Sequence, residues 1–590
     1  MRSTRRSFIN GALLAPLAAR LGAAENRPVF RFGTMTDTHV LETVESCARV
    51  KQAFQLFREK GCELIVNTGD IADHFYPKGY AAYRQVFEEV YAGAAERPRQ
   101  FFVYAGHDDI GYGTSNKRWS DATTVAQAPQ AFEAVQKLLN AENGHTCTMD
   151  HKGYKFVVFP QYVGFKGFIT FAEYEKRIAD AVAASPGKPV FVLDHMPAGG
   201  VWGGARQSPA RTQILSKFPQ VVYFCGHFHG SVWNELLVWQ GKFTAVHSGC
   251  LQNWGEWLVT SQHERHPGYG VLTVDVFPDR LDIRRWDVRD GSEVLPDKPW
   301  IVPLPFVEEK APWRTIVRRA EYAVPKFPAG AELKVTATKP FRGFELKFPS
   351  AGPKAYKYKV VASHKDASGE WRQLTWCETM GDWWLRPGER AAELETLFMA
   401  PFFTSGDTVR FQIVPVNPFG VAGAPLAWSA EFVVPDDGRR GEVLLDSADP
   451  AAELGVYPVR AVGNAARRFK PDADGWYGPF GGDDVAIALP PKLFAGKKGA
   501  SFRVTFDMES DTPEGALRWR LRLADATGRD SASVKYSTPG GKSGPMRYVM
   551  SVTKGARNGR FGNADTYHLI LQDGRRCRGK FGRIIIEKMK

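Results

Sequence analysis

Five short apolar runs in the first 230 residues each end at an aspartate or a histidine, and this recurrence constrains the fold more than any other feature. The polar residues that follow the runs are, in chain order, Asp37 with His39, Asp70, His107, His195, and His227 with His229. Stretches with helical spacing of apolar residues, such as 43–60, separate several runs. Alternating strands and helices predict a largely parallel sheet with right-handed crossovers, whose strand ends meet at one edge. We therefore expect an α/β domain in which these side chains converge.

The segment Cys225–His229, with the sequence C-G-H-F-H, places two imidazoles directly after the apolar run that begins at Val221. Neutral imidazole is a good ligand for Zn, Fe or Mn, and aspartate adds the negative charge that holds cations. Each group alone has a structural interpretation: Asp70 would cap a helix, and His195 would be a hydrogen-bonded core histidine. Their recurrence in series at one sheet edge favours a metal centre.

The chain of 590 residues is too long for a single core, and its hydrophobic fraction of 44% suits several packed domains. Later apolar runs extend the first domain. We expect four of them to be antiparallel strands that close a second sheet: Val232–Val238, Phe243–His247, Gly270–Phe277 and Leu281–Val288. The sequence then changes to an all-β pattern.

Together the motifs of residues 29–300 resemble the calcineurin-like metallophosphoesterase family. The family pattern D-x-H, G-D, G-N-H-[DE], a lone histidine and G-H-x-H is found here as Asp37-Thr38-His39, Gly69-Asp70, Ala105-Gly106-His107-Asp108, His195 and Gly226-His227-Phe228-His229. The resemblance implies a four-layer αββα sandwich with a two-metal centre.

Six residues correspond by position to the family's metal ligands. They are Asp37, His39 and His229 at one metal, Asp70 as the carboxylate that bridges both metals, and His195 and His227 at the second metal. The mixed nitrogen and oxygen ligands do not discriminate among Fe, Zn and Mn. The cofactors implied are therefore two divalent or trivalent ions drawn from these three.

His107 is similar to the family's non-ligand histidine, which contacts the phosphate and assists the leaving group. With Asp108 it forms the candidate catalytic pair. The chain departs from the family at Gly106, which stands where the family has an asparagine ligand of the second metal. Glycine offers no ligand atom, so we expect a weakened second site unless Asp108 or Asp109 reaches the metal.

The resemblance implies a metal-dependent phosphoesterase that attacks a phosphodiester or another organic phosphate with a metal-activated water. The substrate would be a small molecule or a polymer, and a diester is preferred over a monoester. The alternative is a degenerate metallophosphoesterase that serves as a cell-surface or polysaccharide-binding protein. Gly106 and the β domains without catalytic signatures motivate that alternative.

Residues 1–24 resemble a Tat signal peptide, with the twin arginine Arg5-Arg6, an apolar stretch and small residues near Ala24. A short N-terminal helix with two solvated arginines is the alternative. No other apolar run approaches the ~20 residues of a membrane span. We therefore expect a periplasmic or extracellular protein without a transmembrane segment. Seven scattered cysteines give no disulfide framework.

The loops near the expected site carry indoles and guanidinium groups. The indoles of Trp202, Trp254 and Trp257 either stack on a sugar or nucleobase or pack beneath a glycine-rich loop. Arg206 and Arg211 either pair with phosphate or lie in solvent, and the solvated interpretation is preferred.

Two all-β domains are expected after the linker Pro303–Pro312. Residues 313–436 resemble a fibronectin type III sandwich, and residues 441–590 suggest a jelly-roll-like sandwich. The net charge is +13, and residues 501–590 carry 18 Lys and Arg against 9 Asp and Glu. We expect this basic domain either to bind an anionic or carbohydrate polymer or to present a strand face that is simply solvated. The solvated strand face is the preferred interpretation. No specific nucleic-acid binding is expected.

Overall fold

The computed structural model describes residues 27–589 except residue 42, residues 73–76, 105–121, 165–167, 202–207 and 253–268, and short segments between 315 and 577. The chain divides into two compact units. The first holds the described residues up to 323 together with Pro418–Gly420, and the second holds the described residues from 324 onward apart from that short segment. None of the described helices is both long and apolar enough to cross a membrane. The proposed signal peptide, residues 1–24, lies outside the described residues.

The first unit alternates strands and helices as the sequence predicts. Its strands are β1 (Phe30–Met35), β2 (Leu64–Asn67), β3 (Arg99–Phe102), β4 (Cys147–His151), β5 (Tyr154–Val158), β6 (Val190–Leu193), β7 (Val221–Cys225), β8 (Val238–Gln240), β9 (Thr244–His247), β10 (Gly270–Val276), β11 (Arg280–Asp287), β12 (Ser292–Glu293) and β13 (Trp300–Pro303). Its helices are α1 (Val44–Glu59), α2 (Pro77–Val90), α3 (Ala122–Leu139), α4 (Phe171–Ala183) and α5 (Pro209–Leu215).

Two mixed sheets organise this unit. The first has the strand order β12-β11-β10-β1-β2-β3, with β13 paired to β11, and its strands β1, β2 and β3 are parallel. The second has the order β4-β5-β6-β7-β9-β8, in which β5, β6, β7 and β9 are parallel. The parallel strands place their carboxyl ends at one edge of each sheet.

The expectation for the four later strands is wrong in its pairing. The strand β9 lies parallel to β7 in the second sheet, with His247 opposite Cys225, whereas β10 and β11 are antiparallel members of the first sheet. Residues 235–237 form a short 3-10 helix instead of a strand. All residues of β9 and β10 are buried, so neither strand shows the alternation that would specify an exposed face and a partner.

Aromatic rings join the two sheets. The ring of Phe32 on β1 meets Phe156, Phe191 and Phe224 of the second sheet edge-on, at centroid distances of 5.6, 5.3 and 5.7 Å. Edge-to-face pairs at this separation are favourable beyond the apolar area that they bury. The two sheets are therefore in contact through buried aromatic rings.

Helices pack on the first sheet through apolar side chains. Phe54 of α1 shares one buried cluster with Met35 and Ile65. A Cβ on Gly33 would lie 2.5 Å from the ring of Phe57, so glycine lets α1 approach β1 closely. The helix begins after Thr43, whose hydroxyl accepts a hydrogen bond from the backbone N–H of Ser46 at 3.2 Å.

The second sheet is covered in the same way. Ile178 of α4 and Leu215 of α5 share a buried cluster with Val192 and Tyr223. Thr170 caps α4 by accepting from Glu173 N–H at 3.1 Å. The described cysteines form no disulfide.

The described parts of the second unit consist of strands and loops. They contain one 3-10 turn and no α-helix. Its strands are β14 (Lys334–Ala337), β15 (Gly343–Pro349), β16 (Lys357–Lys365), β17 (Trp371–Met380), β18 (Glu393–Met399), β19 (Thr408–Val416), β20 (Phe432–Val433), β21 (Glu442–Asp446), β22 (Gly455–Pro458), β23 (Tyr477–Gly481), β24 (Val485–Ala488), β25 (Ser501–Thr512), β26 (Arg520–Ala524), β27 (Ser531–Lys535), β28 (Gly541–Thr553), β29 (His568–Gln572) and β30 (Arg578–Lys588).

These strands form sheets of three, nine and five strands among the described residues. The largest sheet includes strands from both sides of the predicted boundary between 436 and 441, which meet where Gln373 of β17 lies opposite Met546 of β28. Arg503 adds a second link, because its guanidinium bonds Glu587 at 2.7 Å and the carbonyl of Phe403 at 3.0 Å. The predicted boundary between two separate β domains stays a prediction.

Candidate metal centre

The parallel strands deliver acidic and imidazole side chains to one end of the first unit. Asp37 and His39 follow β1, and Asp70 follows β2. The two chain segments are bonded to each other, because Asp37 N–H donates to the carbonyl of Gly69 at 2.9 Å and His39 N–H donates to the carbonyl of Asp70 at 3.0 Å. The first sheet therefore fixes three of the predicted ligands relative to one another.

Left-handed backbone conformations are concentrated at this end of the sheets. Asp37, His39, Asp70, His227 and His229 have φ angles of 49°, 40°, 51°, 78° and 50°. Such values are uncommon for residues with a Cβ, and they persist only where surrounding structure imposes them. Here the backbone turns sharply after each strand so that the side chains point at a common centre.

The first group of side chains comprises Asp37, His39, Asp70 and His229. One ligand atom from each lies within 4.8 Å of the others. The Nε2 atoms of His39 and His229 are 3.2 Å apart, and His229 Nε2 is 3.4 Å from Asp37 Oδ1. His39 Nε2 lies 3.7 Å from Asp70 Oδ2.

The second group comprises Asp70, His195 and His227 and satisfies the same 4.8 Å limit. His195 Nε2 lies 3.2 Å from Asp70 Oδ2, and its Nδ1 lies 2.8 Å from the carbonyl oxygen of Thr68. A carbonyl oxygen only accepts, so Nδ1 carries the proton. This arrangement leaves the Nε2 lone pair of the neutral ring for a metal.

The donor chemistry fits a pair of metal ions. Asp70 belongs to both groups, which is the position of a bridging carboxylate. The two groups together hold four imidazoles and two carboxylates, and the carboxylates of Asp37 and Asp70 are fully buried. A cation stabilises such a concentration of negative charge and lone-pair donors. Gly226 is part of the fit, because a Cβ there would lie 1.9 Å from Thr36 Oγ1 and 2.9 Å from Asp37 Oδ2.

The electrostatics of the metal-free cluster point the same way. Burial raises the pKa of Asp37 to about 6, a rise that the His195 charge opposes and the Asp70 charge increases. Burial alone lowers the pKa of His195, but the charges of Asp70 and Asp37 outweigh it and raise that pKa to about 10. Burial and the neighbouring His39 hold the pKa of His229 well below its usual value. A proton on Nε2 of His195 thus stands where a metal ion would bind, and a bound metal ion would replace it.

All six predicted ligands are therefore brought together by the structure. The candidate catalytic residues His107 and Asp108, together with Gly106 and Asp109, lie outside the described residues. Trp202, Arg206, Trp254 and Trp257 also lie outside them.

His247 is a residue of this neighbourhood that the sequence reasoning missed. It ends β9 and is fully buried, and burial together with the charge of His195 lowers its pKa to about 3. It belongs to neither donor group among the described residues. An apolar run ending in histidine was the available signal, but the wrong sheet order for β9 concealed it.

The interpretation of Arg211 as a solvated side chain or a phosphate ligand is wrong. Its side chain is 6% exposed, and its Nε lies 2.8 Å from Oδ2 of the fully buried Asp194. A second nitrogen of the guanidinium donates to the carbonyl of Gln161. The residue is therefore an internal ion-pair partner close to His195.

Comparison with known protein families gives the same assignment as the geometry. The model of the calcineurin-like phosphoesterase family matches residues 30–231, which contain all six predicted ligands. Residues 30–231 are a calcineurin-like phosphoesterase domain. The family and the donor groups support a metal-dependent phosphoric ester hydrolase that binds divalent metals.

Solved structures similar to this chain are distant. A dimetal phosphatase from Danio rerio shares 11% identity over 43% of this chain and 95% of its own, with a TM-score of 0.30. A xylan-binding domain from Paenibacillus barcinonensis shares 10% identity over 26% of this chain and 97% of its own, with a TM-score of 0.16. An exo-beta-1,3-galactanase from Phanerochaete chrysosporium shares 10% identity over 54% of this chain and 65% of its own, with a TM-score of 0.18. Comparison with curated proteins gave no significant match.

Proposed function

We propose that the phosphoesterase domain hydrolyses organic phosphates with two metal ions that share the carboxylate of Asp70. Asp37, His39 and His229 would complete one metal site, and His195 and His227 the other. The observation that carries the proposal is the membership of Asp70 in both donor groups. A buried carboxylate shared by two sets of imidazoles is an arrangement that two cations stabilise.

The metal pair, when bound, supplies charge neutralisation of the phosphate oxygens and a nucleophilic water at neutral pH. The residues of the chain do the rest. His195 is held in one tautomer by Thr68, so its Nε2 stays directed at Asp70. By resemblance to the family, His107 would lie beside the phosphate and donate a proton to the departing alkoxide.

The finer features of the function are also proposals. A phosphodiester is the preferred substrate class, with other organic phosphates as the wider class. We further propose an αββα layering of the domain, supported by the Phe32 contacts between the sheets and by the helix clusters on each. Fe, Zn and Mn are all compatible with the donor set.

Export and the role of the β-rich second unit rest on the sequence. The Tat-like segment of residues 1–24 supports a periplasmic or extracellular location. The basic balance of residues 501–590 supports contact with an anionic or carbohydrate polymer. A fibronectin type III-like character of residues 313–436 is proposed on the strand pattern alone.

Hydrolysis of bis(4-nitrophenyl) phosphate and 4-nitrophenyl phosphate tests the proposal, with the purified protein loaded separately with Mn²⁺, Zn²⁺ or Fe. We expect turnover of the diester above the monoester, and a loss of at least ~10³-fold in Asp70→Asn because a buried ligand of both metals loses its charge. The exposed Asp150→Asn is the matched control. Turnover that survives in Asp70→Asn would refute the assignment.

The alternative function is a degenerate phosphoesterase that binds a polymer without turnover. Gly106 favours it, because this position lacks the family's asparagine ligand. The variants Gly106→Asn and His107→Ala separate the two cases. Under the main proposal His107→Ala loses turnover and keeps its metals. Under the alternative the wild type shows no turnover, and Gly106→Asn raises the metal content.

A further inference from the structure

A buried ion pair lies directly beside the second metal group. Asp194 is the residue before His195, and its carboxylate is fully buried with the guanidinium of Arg211 on α5. Arg211 also donates to the carbonyl of Gln161. Neither member of this pair belongs to a donor group among the described residues.

The pair controls the turn on which His195 is carried. Asp194 Oδ1 accepts the backbone N–H of Met196 at 3.1 Å, so the carboxylate closes a turn around His195. The hydroxyl of Tyr223 on β7 donates to the carbonyl of Met196 at 2.5 Å. Arg211 Nε donates a hydrogen bond to Asp194 Oδ2 at 2.8 Å, and this bond fixes the orientation of the Asp194 carboxylate.

The same turn is connected to the segment that carries two other candidate ligands, His227 and His229. The carbonyl of His195 accepts the N–H of Gly226 at 3.0 Å, and Gly226 precedes His227. The N–H of His227 in turn donates to both carboxylate oxygens of Asp37, at 3.2 and 3.0 Å. A shift of the Asp194 turn would therefore be transmitted to the strand end that bears His227.

We infer that Asp194 and Arg211 form a positioning pair that holds His195 in register with Asp70 and thereby sets the affinity of the second metal ion. The inference rests on the proposed function of this site. Removing two charges from water is costly, and an apolar pair of similar size often gives equal or greater stability. Stability alone therefore does not account for this buried pair, whereas a role in placing the His195 ligand does. Such a role matters most at a metal whose family asparagine is replaced by Gly106.

Metal binding to the full-length protein tests the inference with Arg211→Met, Arg211→Lys, Asp194→Asn and the double variant Asp194→Asn/Arg211→Met. We expect Arg211→Met to weaken the second Mn²⁺ by about 10- to 100-fold, the range found when outer-shell partners of metal ligands are removed. The first Mn²⁺ should change little. Arg211→Lys restores the charge and should recover part of the affinity.

The double variant separates positioning from stability, because it leaves no unpaired buried charge. If the pair positions His195, the double variant recovers its melting temperature while its affinity for the second Mn²⁺ stays low. Its kcat falls by a larger factor than its KM rises, and the visible spectrum of the Co²⁺-loaded protein changes. Recovery of Mn²⁺ affinity together with stability would overturn the inference. Arg503→Met is the matched control, since Arg503 is a mostly buried arginine with one carboxylate and one carbonyl partner in the second unit. It should lower stability without changing Mn²⁺ binding.

The outcome is distinguishable from failure of the proposed function. A wild-type protein that binds two Mn²⁺ ions but hydrolyses no phosphoester refutes the hydrolase proposal, and the Mn²⁺ titrations still decide the positioning role. A wild-type protein that hydrolyses phosphoesters, with variants that keep full affinity for the second Mn²⁺, refutes the positioning role alone.

Discussion

Replacing Gly226 with alanine should damage the metal centre without altering any ligand. The new Cβ would lie 1.9 Å from Thr36 Oγ1 and 2.9 Å from Asp37 Oδ2, whereas ordinary contacts begin at 3.4 Å. The backbone or Thr36 must therefore move by about 1.5 Å, the difference between these distances. Thr36 is fully buried and β-branched, so rotation of its side chain offers little relief.

The displacement reaches ligands on both sides. The N–H of Gly226 donates to the carbonyl of His195, and the N–H of His227 donates to the carboxylate of Asp37. Overpacking of this kind costs about 1–3 kcal/mol of stability. Misplacement of catalytic groups by about 1 Å lowers rates by roughly 10²-fold. We therefore expect Gly226→Ala to fold, to bind metal ions more weakly, and to lose about two orders of magnitude in kcat/KM for bis(4-nitrophenyl) phosphate.

Metal content by mass spectrometry and hydrolysis of bis(4-nitrophenyl) phosphate measure the effect. Gly144→Ala is the control, because a Cβ there meets nothing within 4 Å and the φ of Gly144 is not in the left-handed region. That variant should match the wild type in metal content and rate. If Gly226→Ala kept both its metals and its rate within threefold, the close approach at Gly226 would have no functional meaning.

Other predictions test the electrostatics and the packing of the first unit. Because the pKa of His195 is about 10 in the metal-free protein, metal binding releases its proton, and the apparent Kd should fall about tenfold per pH unit between pH 7 and 9; a flat titration would contradict this. Below pH 6 Asp37, whose pKa is about 6, also becomes protonated, so metal binding releases a second proton and the apparent Kd should depend more steeply on pH. Phe32→Ala should cost about 3–5 kcal/mol in denaturant unfolding of the first unit, because three edge-on ring contacts are lost. Arg285→Met should cost about 3–5 kcal/mol of stability, because it removes the guanidinium that lies 3.0 Å from the buried carboxylate of Glu235. Recovery of stability in Arg285→Met/Glu235→Gln would identify the Glu235 charge as the cause.

The convergence of the six candidate ligands could be predicted from the sequence because each part of the signal is local. An apolar run specifies a buried strand, and the polar residue one to three positions later specifies what the strand end presents. Parallel pairing then brings these positions together without further information, as it does for Asp37 beside Gly69 and His39 beside Asp70. The bounds of α1, Val44–Glu59, agree with the helical spacing of residues 43–60 for the same reason.

The remaining features depend on contacts between distant segments. Whether β9 pairs with β7 or β10 is decided by packing of strands that are buried on both faces, and their sequences carry no register. The burial of Arg211 depends on Asp194, 17 residues earlier, and on Gln161, 50 residues earlier. An arginine in a short polar segment is exposed far more often than buried, so composition misled the interpretation.

Electron paramagnetic resonance of the Mn²⁺-loaded protein tests the shared carboxylate of Asp70 most directly. Two Mn²⁺ ions bridged by one carboxylate lie about 3.5–4 Å apart and couple magnetically. The account predicts two ions per chain with a spin-coupled spectrum that Asp70→Asn abolishes. A single ion per chain, or two ions with uncoupled spectra, would contradict it.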